Sequence, residues 1–253
     1  MDLQLDGKRA VIVGGTRGIG RAVTDLLAQE GCLVAVGARD AALVDATVER
    51  LRADGHQADG EQVDAADHID LARFVTAMGD TLEGIDILVY APSAAMGAGN
   101  DEASWHKGIA VDLMGAVTAC EAAIPLLQQS RAGAIVLIGT ASIVEAVGPR
   151  RAYNSVKAAL VPYAKFLARD LAPRIRTNIV SPGMVYFDGG VWDAVRQVVP
   201  DRYQQAVARN PMRRMATPEE IANAVAFMAS PKASFISGAH LLCDGARTEG
   251  VQY

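Results

Sequence analysis

Short apolar runs alternate with helix-like segments along the chain, and this alternation limits the possible folds more than any other feature. Seven runs have the length and composition of buried strands, at residues 10–13, 33–36, a short one ending near 63, 85–90, 134–138, 176–180 and 239–242. Helical segments fill the gaps, for example residues 19–29, 41–53, 105–129 and 152–171. Strands that alternate with helices form a parallel sheet covered on both faces. The pattern therefore predicts an α/β fold, a doubly wound Rossmann-type domain with a seven-stranded parallel sheet.

Nothing in the sequence divides the chain into two domains. No linker rich in proline, glycine or serine and no internal repeat interrupts the alternation, and 253 residues suit one large α/β domain. Thr217 and Pro218 mark the start of a late helix, as its N-cap and first residue. We expect residues 1–253 to form a single dinucleotide-binding domain, in which residues 184–214 are inserted as a substrate loop.

Composition and charge argue against several classes of protein. The net charge is -5 and the pI is about 5.4, which disfavours a nucleic-acid surface. The first residues lack the basic and apolar regions of a signal peptide, and no apolar run reaches the ~18 residues of a membrane helix. The three cysteines, Cys32, Cys120 and Cys243, lie among apolar neighbours and are predicted to be small hydrophobic residues of the core, and the four histidines lack metal-ligand spacing. The sequence predicts a cytoplasmic protein with no metal, no nucleic-acid partner and no membrane partner.

A glycine-rich loop, Gly14, Gly18 and Gly20, stands between the first predicted strand and the first predicted helix. Glycine allows a tight turn and lets backbone N–H groups approach a pyrophosphate at the helix N-terminus. A glycine triplet alone is also compatible with an ordinary strand-to-helix turn. Its position on strand one of an alternating pattern favours dinucleotide binding.

The residues around the end of the second strand indicate which dinucleotide binds. NAD-selective sites place an acidic residue there to accept the ribose hydroxyls, whereas this strand leads to Arg39, with Arg17 inside the glycine loop. Two guanidinium groups suit a 2′-phosphate, so NADPH/NADP+ is predicted. Two alternatives stay open, because both arginines can be solvated surface residues and Asp40 can be a displaced ribose acceptor for NAD. Asp64, after the third strand, is predicted to accept from the adenine amino group, or else to be an N-cap or turn residue.

Tyr153 and Lys157 carry the strongest chemical signal. On a helix, residues four apart share one face, so a phenol is held beside an ammonium. The cation favours the phenolate, which lets the tyrosine pass a proton to or from a substrate oxygen. The alternative is a helix-face pair without chemistry.

In this order and spacing, the motifs resemble the short-chain dehydrogenase/reductase family, in its single-domain Tyr-x3-Lys branch, over nearly the whole chain. The resemblance rests on the glycine loop, on Tyr153 and Lys157, on Pro182-Gly183 after the sixth strand, and on a C-terminal passage from Pro211 to Gly245. It implies that Tyr153 is the general acid in reduction and the base in oxidation, and that Lys157 holds the nicotinamide ribose. It also implies a homotetramer.

The resemblance further assigns site residues by position. Thr140, thirteen residues before Tyr153, stands where the family usually has serine and would bind the substrate oxygen, with Ser142 as a rival donor. The cofactor-binding set that we predict is Gly14, Thr16, Arg17, Gly18, Ile19, Gly20, Arg39, Asp64, Ala91, Tyr153, Lys157, Pro182, Gly183 and Val185.

At three places the sequence departs from the family pattern, which weakens the assignment of site residues by position. Tyr90-Ala91-Pro92-Ser93 replaces the usual Asn-Asn-Ala-Gly after strand four, and Phe187 replaces a threonine near the carboxamide. Asp112 replaces the asparagine that binds a relay water, which adds a charge near Lys157. We still predict Asp112 to be part of the catalytic set with Tyr153, Lys157 and Thr140.

The substrate is predicted from the segment 184–214, which is apolar and partly aromatic and would cover the cleft as a lid. Ser93, Ser142, Met184 and Trp192 are the predicted substrate contacts, and residues 94–100 the opposite wall. The alternative for the lid is a subunit contact or core packing. The favoured function is an NADP(H)-dependent oxidoreductase that interconverts a carbonyl and a secondary alcohol, with a hydrophobic ketone as substrate. The alternative functions are an NADP(H)-binding regulatory or scaffold protein with impaired catalysis, and, more weakly, an enoyl reductase, which needs a longer tyrosine–lysine spacing.

Overall fold

A computed structural model describes residues 1–94, 99–145 and 151–251, and its centre is a seven-stranded parallel sheet. The strands are β1 (Arg9–Val13), β2 (Leu33–Ala38), β3 (Ala58–Gln62), β4 (Ile87–Tyr90), β5 (Gly133–Ile138), β6 (Ile175–Pro182) and β7 (His240–Cys243). Their order in the sheet is β3-β2-β1-β4-β5-β6-β7, and every pairing is parallel. The prediction of a doubly wound, seven-stranded Rossmann-type fold is confirmed.

Ten α-helices occur in the described residues. They are α1 (Gly18–Gln29), α2 (Ala41–Ala53), α3 (His68–Thr81), α4 (Glu102–Gly108), α5 (Gly115–Leu127), α6 (Ala152–Ala158), α7 (Leu160–Asp170), α8 (Val191–Val198), α9 (Pro200–Arg209) and α10 (Pro218–Ala229). Several begin where the sequence supplies a cap. Thr217 forms a capping box with Glu220 at the start of α10, which confirms the predicted N-cap.

The sheet separates two hydrophobic cores, because successive side chains of a strand point to opposite faces. On β1, Val11 and Val13 belong to the core beneath α3, α5 and α7, whereas Ala10 and Ile12 belong to the core beneath α1, α2 and α10. Both faces of the central strands are therefore covered, which explains why their sequences read as continuous apolar runs.

Two predicted long helices are interrupted. The helix predicted at 152–171 is divided into α6 and α7, and the helix predicted at 105–129 contains a π-helical turn, Ile109–Met114, between α4 and α5. The predicted lid, 184–214, is largely helical rather than a loop, since it contains α8 and α9.

The stretch Glu102–Leu127 is long and apolar enough to cross a membrane by length and composition alone. Its α5 part packs Ala116, Ala119 and Cys120 into the core beneath the sheet, and Asp112 is fully buried within it in an ion pair with Lys157. These contacts assign the stretch to the interior packing of this fold.

The two most buried cysteines behave as the sequence predicts for small core hydrophobes. Burial raises the pKa of both the Cys32 and the Cys120 thiol to about 12, so neither is a thiolate at neutral pH. Cys243 is only half-buried, so it differs from the prediction that all three lie in the core.

The order of the strands in the sheet reverses at β1. From β1 to β3 the chain adds strands on one side of β1, and from β4 to β7 it adds them on the other side. In open α/β sheets such a switch leaves a crevice at the carboxyl ends of the strands, where ligands bind. The cleft described next lies at this edge.

Candidate active site at the carboxyl edge of the sheet

A cleft of about 1960 Å³ follows the ends of β1, β2, β4, β5 and β6. It is lined by all but two of the site residues predicted from the sequence. The exceptions are Gly18, which the ring of Phe187 covers, and Asp112, which is fully buried behind Lys157. Of the predicted opposite wall, 94–100, residues 95–98 lie outside the described residues.

The glycine loop has a geometry that only glycine allows at two positions. Gly14 has φ +82°, a conformation that other residues rarely adopt. A Cβ atom on Gly20 would lie 2.0 Å from the carbonyl oxygen of Gly14, so any side chain there would force the turn open. The loop therefore presents bare backbone at the N-terminus of α1, where an anionic group is favoured.

At the end of β2, the two candidate phosphate ligands have different surroundings. Arg17 Nη2 lies 3.3 Å from Asp40 Oδ2, and both side chains are exposed. Asp40 also accepts from the Leu43 N–H as the N-cap of α2, which gives this carboxylate a structural role. Arg39 is exposed and has no carboxylate within 4.0 Å among the described residues. The corner therefore offers one uncompensated guanidinium to the cleft.

Asp64 is a turn residue, one of the two alternatives for its position, and it also faces the cleft. Its Oδ1 atom accepts from the backbone N–H of Ala66 at 3.0 Å, which closes the turn after β3. The side chain is exposed and lines the cleft at the same time.

Lys157 is anchored more firmly than the sequence indicated. Its side chain is 1% exposed, and its Nζ atom lies 3.1 Å from Asp112 Oδ1. The same ammonium donates to the carbonyl oxygens of Ile138 at 2.9 Å and Pro92 at 3.2 Å. Asp112 in turn accepts from the N–H of Ala94. The aspartate thus compensates the lysine charge and ties the strand-four turn to it.

The π-helical turn that carries Asp112 is held by two side chains from elsewhere. A π-helical turn is wider than an α-helical one, is rare, and occurs frequently at functional sites. His68 Nε2 donates to the carbonyl of Ala110 at 2.9 Å, and the Tyr90 hydroxyl donates to the carbonyl of Val111. Burial and the nearby Asp112 raise the pKa of Tyr90 well above its usual value, so it stays a neutral donor.

Tyr90 needs the glycine at position 115. A Cβ atom on Gly115 would lie 2.2 Å from the Tyr90 hydroxyl oxygen. The sequence showed Tyr90 only as a departure from a pattern, whereas the structure gives it a packing partner and a hydrogen-bond acceptor.

Three polar side chains form a short chain of hydrogen bonds beside Tyr153 in the cleft wall. The Thr140 and Ser142 hydroxyl oxygens are 2.9 Å apart, and the Ser142 hydroxyl donates to Asn154 Oδ1 at 3.1 Å. Because the single Ser142 proton is directed to Asn154, the hydrogen bond between the two hydroxyls uses the Thr140 proton. Thr140 can therefore donate to a substrate oxygen only by turning its hydroxyl away from Ser142. Asn154 was missed by the sequence reasoning, although its place next to Tyr153 on α6 was the available signal.

The cleft lining also contains charged residues that the sequence does not single out. Arg202 and Arg209 of α9 line it, together with Arg247 and Glu145, whose charged groups lie 3.7 Å apart. Phe187 packs its ring against both Gly18 and Gly190, between the glycine loop and α8.

Known proteins resemble this chain over nearly its whole length. A family model described as Enoyl-(Acyl carrier protein) reductase matches residues 13–248. The chain is 32% identical to the isoepoxydon dehydrogenase of Penicillium expansum, over 98% of each chain. It is also 32% identical to the D-threitol dehydrogenase of Mycolicibacterium smegmatis, over 98% of this chain and 95% of that one.

A solved structure gives the same result for the fold. The L-sorbose reductase from Gluconobacter frateurii, complexed with NADPH and L-sorbose, superposes with a TM-score of 0.90. The two chains are 27% identical, and the match covers 99% of this chain and 100% of that one.

Proposed function

The chain belongs to the short-chain dehydrogenase/reductase family, and we propose that it is an NADP(H)-dependent enzyme that interconverts a carbonyl and a secondary alcohol. The observation that carries the proposal is one cleft that joins the glycine loop to Tyr153, Thr140 and Lys157. The isoepoxydon and threitol dehydrogenases are relatives named for alcohol oxidation, and the sorbose reductase is a neighbour named for the reverse direction.

The residues present fit a nicotinamide dinucleotide. Gly14 and Gly20 leave bare backbone where a Cβ atom would block the turn, and Arg39 gives the end of β2 a cation that suits a 2′-phosphate. The neighbouring sorbose reductase was crystallised with NADPH, which supports the phosphorylated cofactor. When bound, the cofactor supplies or accepts the hydride.

The chain's own residues manage the proton and the substrate oxygen. Thr140 turns its hydroxyl from Ser142 to donate a hydrogen bond to the carbonyl oxygen, and Tyr153 donates the proton that this oxygen needs as it becomes a hydroxyl. In the reverse direction Tyr153 accepts the proton. Asp112 holds Lys157 in place through the buried ion pair, so we assign it as a positioning residue.

The substrate that we propose is a hydrophobic ketone or its alcohol. Met184 and three residues of α8, Val191, Trp192 and Val195, line the cleft on the lid side. Apolar side chains with a few convergent polar groups are typical of small-molecule sites.

The test is a ketone panel assayed with NADPH and with NADH. We expect NADPH to be preferred, and Arg39→Ser to reduce that preference about 10-fold or more, the effect of losing a charge-assisted hydrogen bond. Tyr153→Phe should remove nearly all turnover and leave NADPH binding intact, whereas Tyr163→Phe, a tyrosine outside the cleft lining, should retain turnover. Full turnover by Tyr153→Phe, or equal use of both cofactors, contradicts the proposal.

Two observations favour a second candidate, a nucleotide-binding regulatory or scaffold protein. Asp112, Ile138 and Pro92 already occupy the three N–H groups of Lys157, and Phe187 lies against Gly18. NADPH binding without turnover of any ketone or alcohol would support this candidate. An enoyl reductase is disfavoured, because Leu160 stands seven positions after Tyr153 and is fully buried in the core.

A further inference from the structure

The two lid helices present different chemistry to the cleft. Residues 191, 192 and 195 of α8 line it with apolar side chains, whereas α9 lines it with Arg202, Gln205, Ala206 and Arg209. Spacings of three, four and seven residues place these four on one face of a helix. The face of α9 toward the cleft is therefore cationic over two helical turns.

The orientation of α9 is fixed by packing on its other side. Tyr203, next to Arg202, makes an edge-to-face contact with Tyr186, with ring centroids 6.0 Å apart. Tyr186 also donates to Asp193 at 3.1 Å and lies beneath the Arg196 guanidinium at 5.5 Å. These contacts join α8 and α9, so the cationic face does not depend on a free-standing helix.

The arginines of α9 are not neutralised by neighbours. Neither Arg202 nor Arg209 has a carboxylate within 4.0 Å among the described residues. By contrast, Arg247 is paired with Glu145 at 3.7 Å. Unpaired arginines in a cleft are well suited to a carboxylate, phosphate or sulfonate, which they bind bidentately.

Outside the cofactor corner, the balance of charge in the cleft lining opposes that of the whole molecule. Apart from Lys157 and the four charged residues of the cofactor corner, the lining contains five cations and two carboxylates, an excess of three positive charges. The chain as a whole has a net charge of -5. A local positive potential of this kind attracts an anionic ligand.

We propose that the substrate is a ketone, or its alcohol, with an apolar body against α8 and an anionic group that is bound by Arg202 and Arg209 of α9. This inference rests on the proposed function and specifies its substrate class. It assigns to α9 the recognition of the end of the substrate that does not react.

The experiment compares methyl ketones of increasing length that end in a carboxylate with their methyl esters. We expect the acid to be used with a higher kcat/KM than its ester, and its KM to rise with added salt. In Arg202→Gln/Arg209→Gln, the acid-to-ester ratio should fall at least about 10-fold for each arginine that contacts the anion. The matched control is Arg131→Gln, at an exposed arginine outside the cleft lining. It removes one positive charge, as each of the two α9 substitutions does, and should leave the acid-to-ester ratio unchanged.

Binding is also measured without turnover, by calorimetric titration of acids and esters into Tyr153→Phe with NADP+. The same titration is repeated with the variant that combines Tyr153→Phe, Arg202→Gln and Arg209→Gln. Binding that favours acids over esters in Tyr153→Phe and disappears in this triple variant supports the inference even if the enzyme reduces no ketone. Failure of the inference is therefore distinguishable from failure of the proposed function. Equal use and equal binding of acids and esters overturns the inference. A loss of NADP+ affinity in Arg202→Gln/Arg209→Gln also overturns it, since it assigns these arginines to the cofactor.

Discussion

At the scale of single residues, the feature that distinguishes this site is the buried pair of Asp112 and Lys157. Both side chains are almost completely inaccessible, and their charged atoms lie 3.1 Å apart. Removing one partner of such a pair leaves an uncompensated charge in the interior, which is more costly than the pair is favourable. The aspartate therefore determines where the lysine ammonium lies, and through it the shape of the cleft wall near Tyr153.

Asp112→Leu should destabilise the fold by about 3–5 kcal/mol, because the Lys157 charge loses its partner in the interior. Asp112→Asn should cost less, since the amide oxygen still accepts from Ala94 or Lys157. The free energy of unfolding from urea titration checks both values. Equal destabilisation by the two substitutions would show that the ion pair does not carry the effect.

At the scale of elements, the π-helical turn between α4 and α5 places the Asp112 carboxylate within ion-pair distance of Lys157. Its carbonyls at Ala110 and Val111 are bonded by His68 and Tyr90, from α3 and β4. A wide turn with carbonyls bonded from two other elements is stabilised by tertiary contacts rather than by helix propensity.

Gly115→Ala should destabilise the protein, although alanine is the better helix former, because its methyl group would lie 2.2 Å from the Tyr90 hydroxyl oxygen. Tyr90→Phe removes that oxygen and should recover part of the loss. The recovery is partial, since the Ala65 carbonyl oxygen would still lie 2.6 Å from the added carbon. Unfolding free energies of the two single variants and the double variant form a double-mutant cycle. Additive effects would contradict the direct contact.

The elements divide clearly into those that the sequence reveals and those that it does not. The seven strands, the glycine loop and the cap at Thr217 follow from local patterns, so they were predicted. The π-helical turn depends on His68 and Tyr90, which are distant in sequence. The break between α6 and α7, by contrast, has a local signal in Pro162, which has no N–H for the carbonyl of Ala158 and crowds that carbonyl, but the predicted helix at 152–171 runs through it. The cationic face of α9 does not follow from the sequence prediction of a loop at 184–214, because a seven-residue spacing brings side chains to one face only in a helix.

At the scale of the whole molecule, charged groups at the other edge of the sheet stabilise the fold away from the cleft. Asp86, just before β4, accepts from the Arg9 guanidinium at 2.8 Å and from the Ser130 hydroxyl at 2.6 Å. Burial alone would raise the pKa of Asp86, but the hydrogen bonds from Arg9 and Ser130 outweigh it and hold the pKa below its usual value. This cluster connects β1, β4 and the segment before β5.

The cluster should make stability depend on pH in the acid range. Since the pKa of Asp86 is lower in the folded state than in the unfolded state, its contribution is complete above the unfolded value of about 3.9 and is lost as the pH falls through the folded value. Asp86→Asn should therefore be less stable than the natural chain at neutral pH, with a gap that narrows below about pH 4. Urea unfolding at a series of pH values measures the gap, and a gap independent of pH would exclude this role for the carboxylate.

The fit between Tyr90 and Gly115 also restricts the routes by which this sequence can evolve. While position 90 is tyrosine, any side chain at position 115 collides with the tyrosine hydroxyl group, so every substitution of Gly115 is destabilising. A smaller residue must first arise at position 90, and that step gives up the hydrogen bond to Val111. In the opposite direction, glycine has to be present at 115 before tyrosine can enter at 90. The order of the two events is thus set by geometry, and the pair is expected to be inherited as a unit.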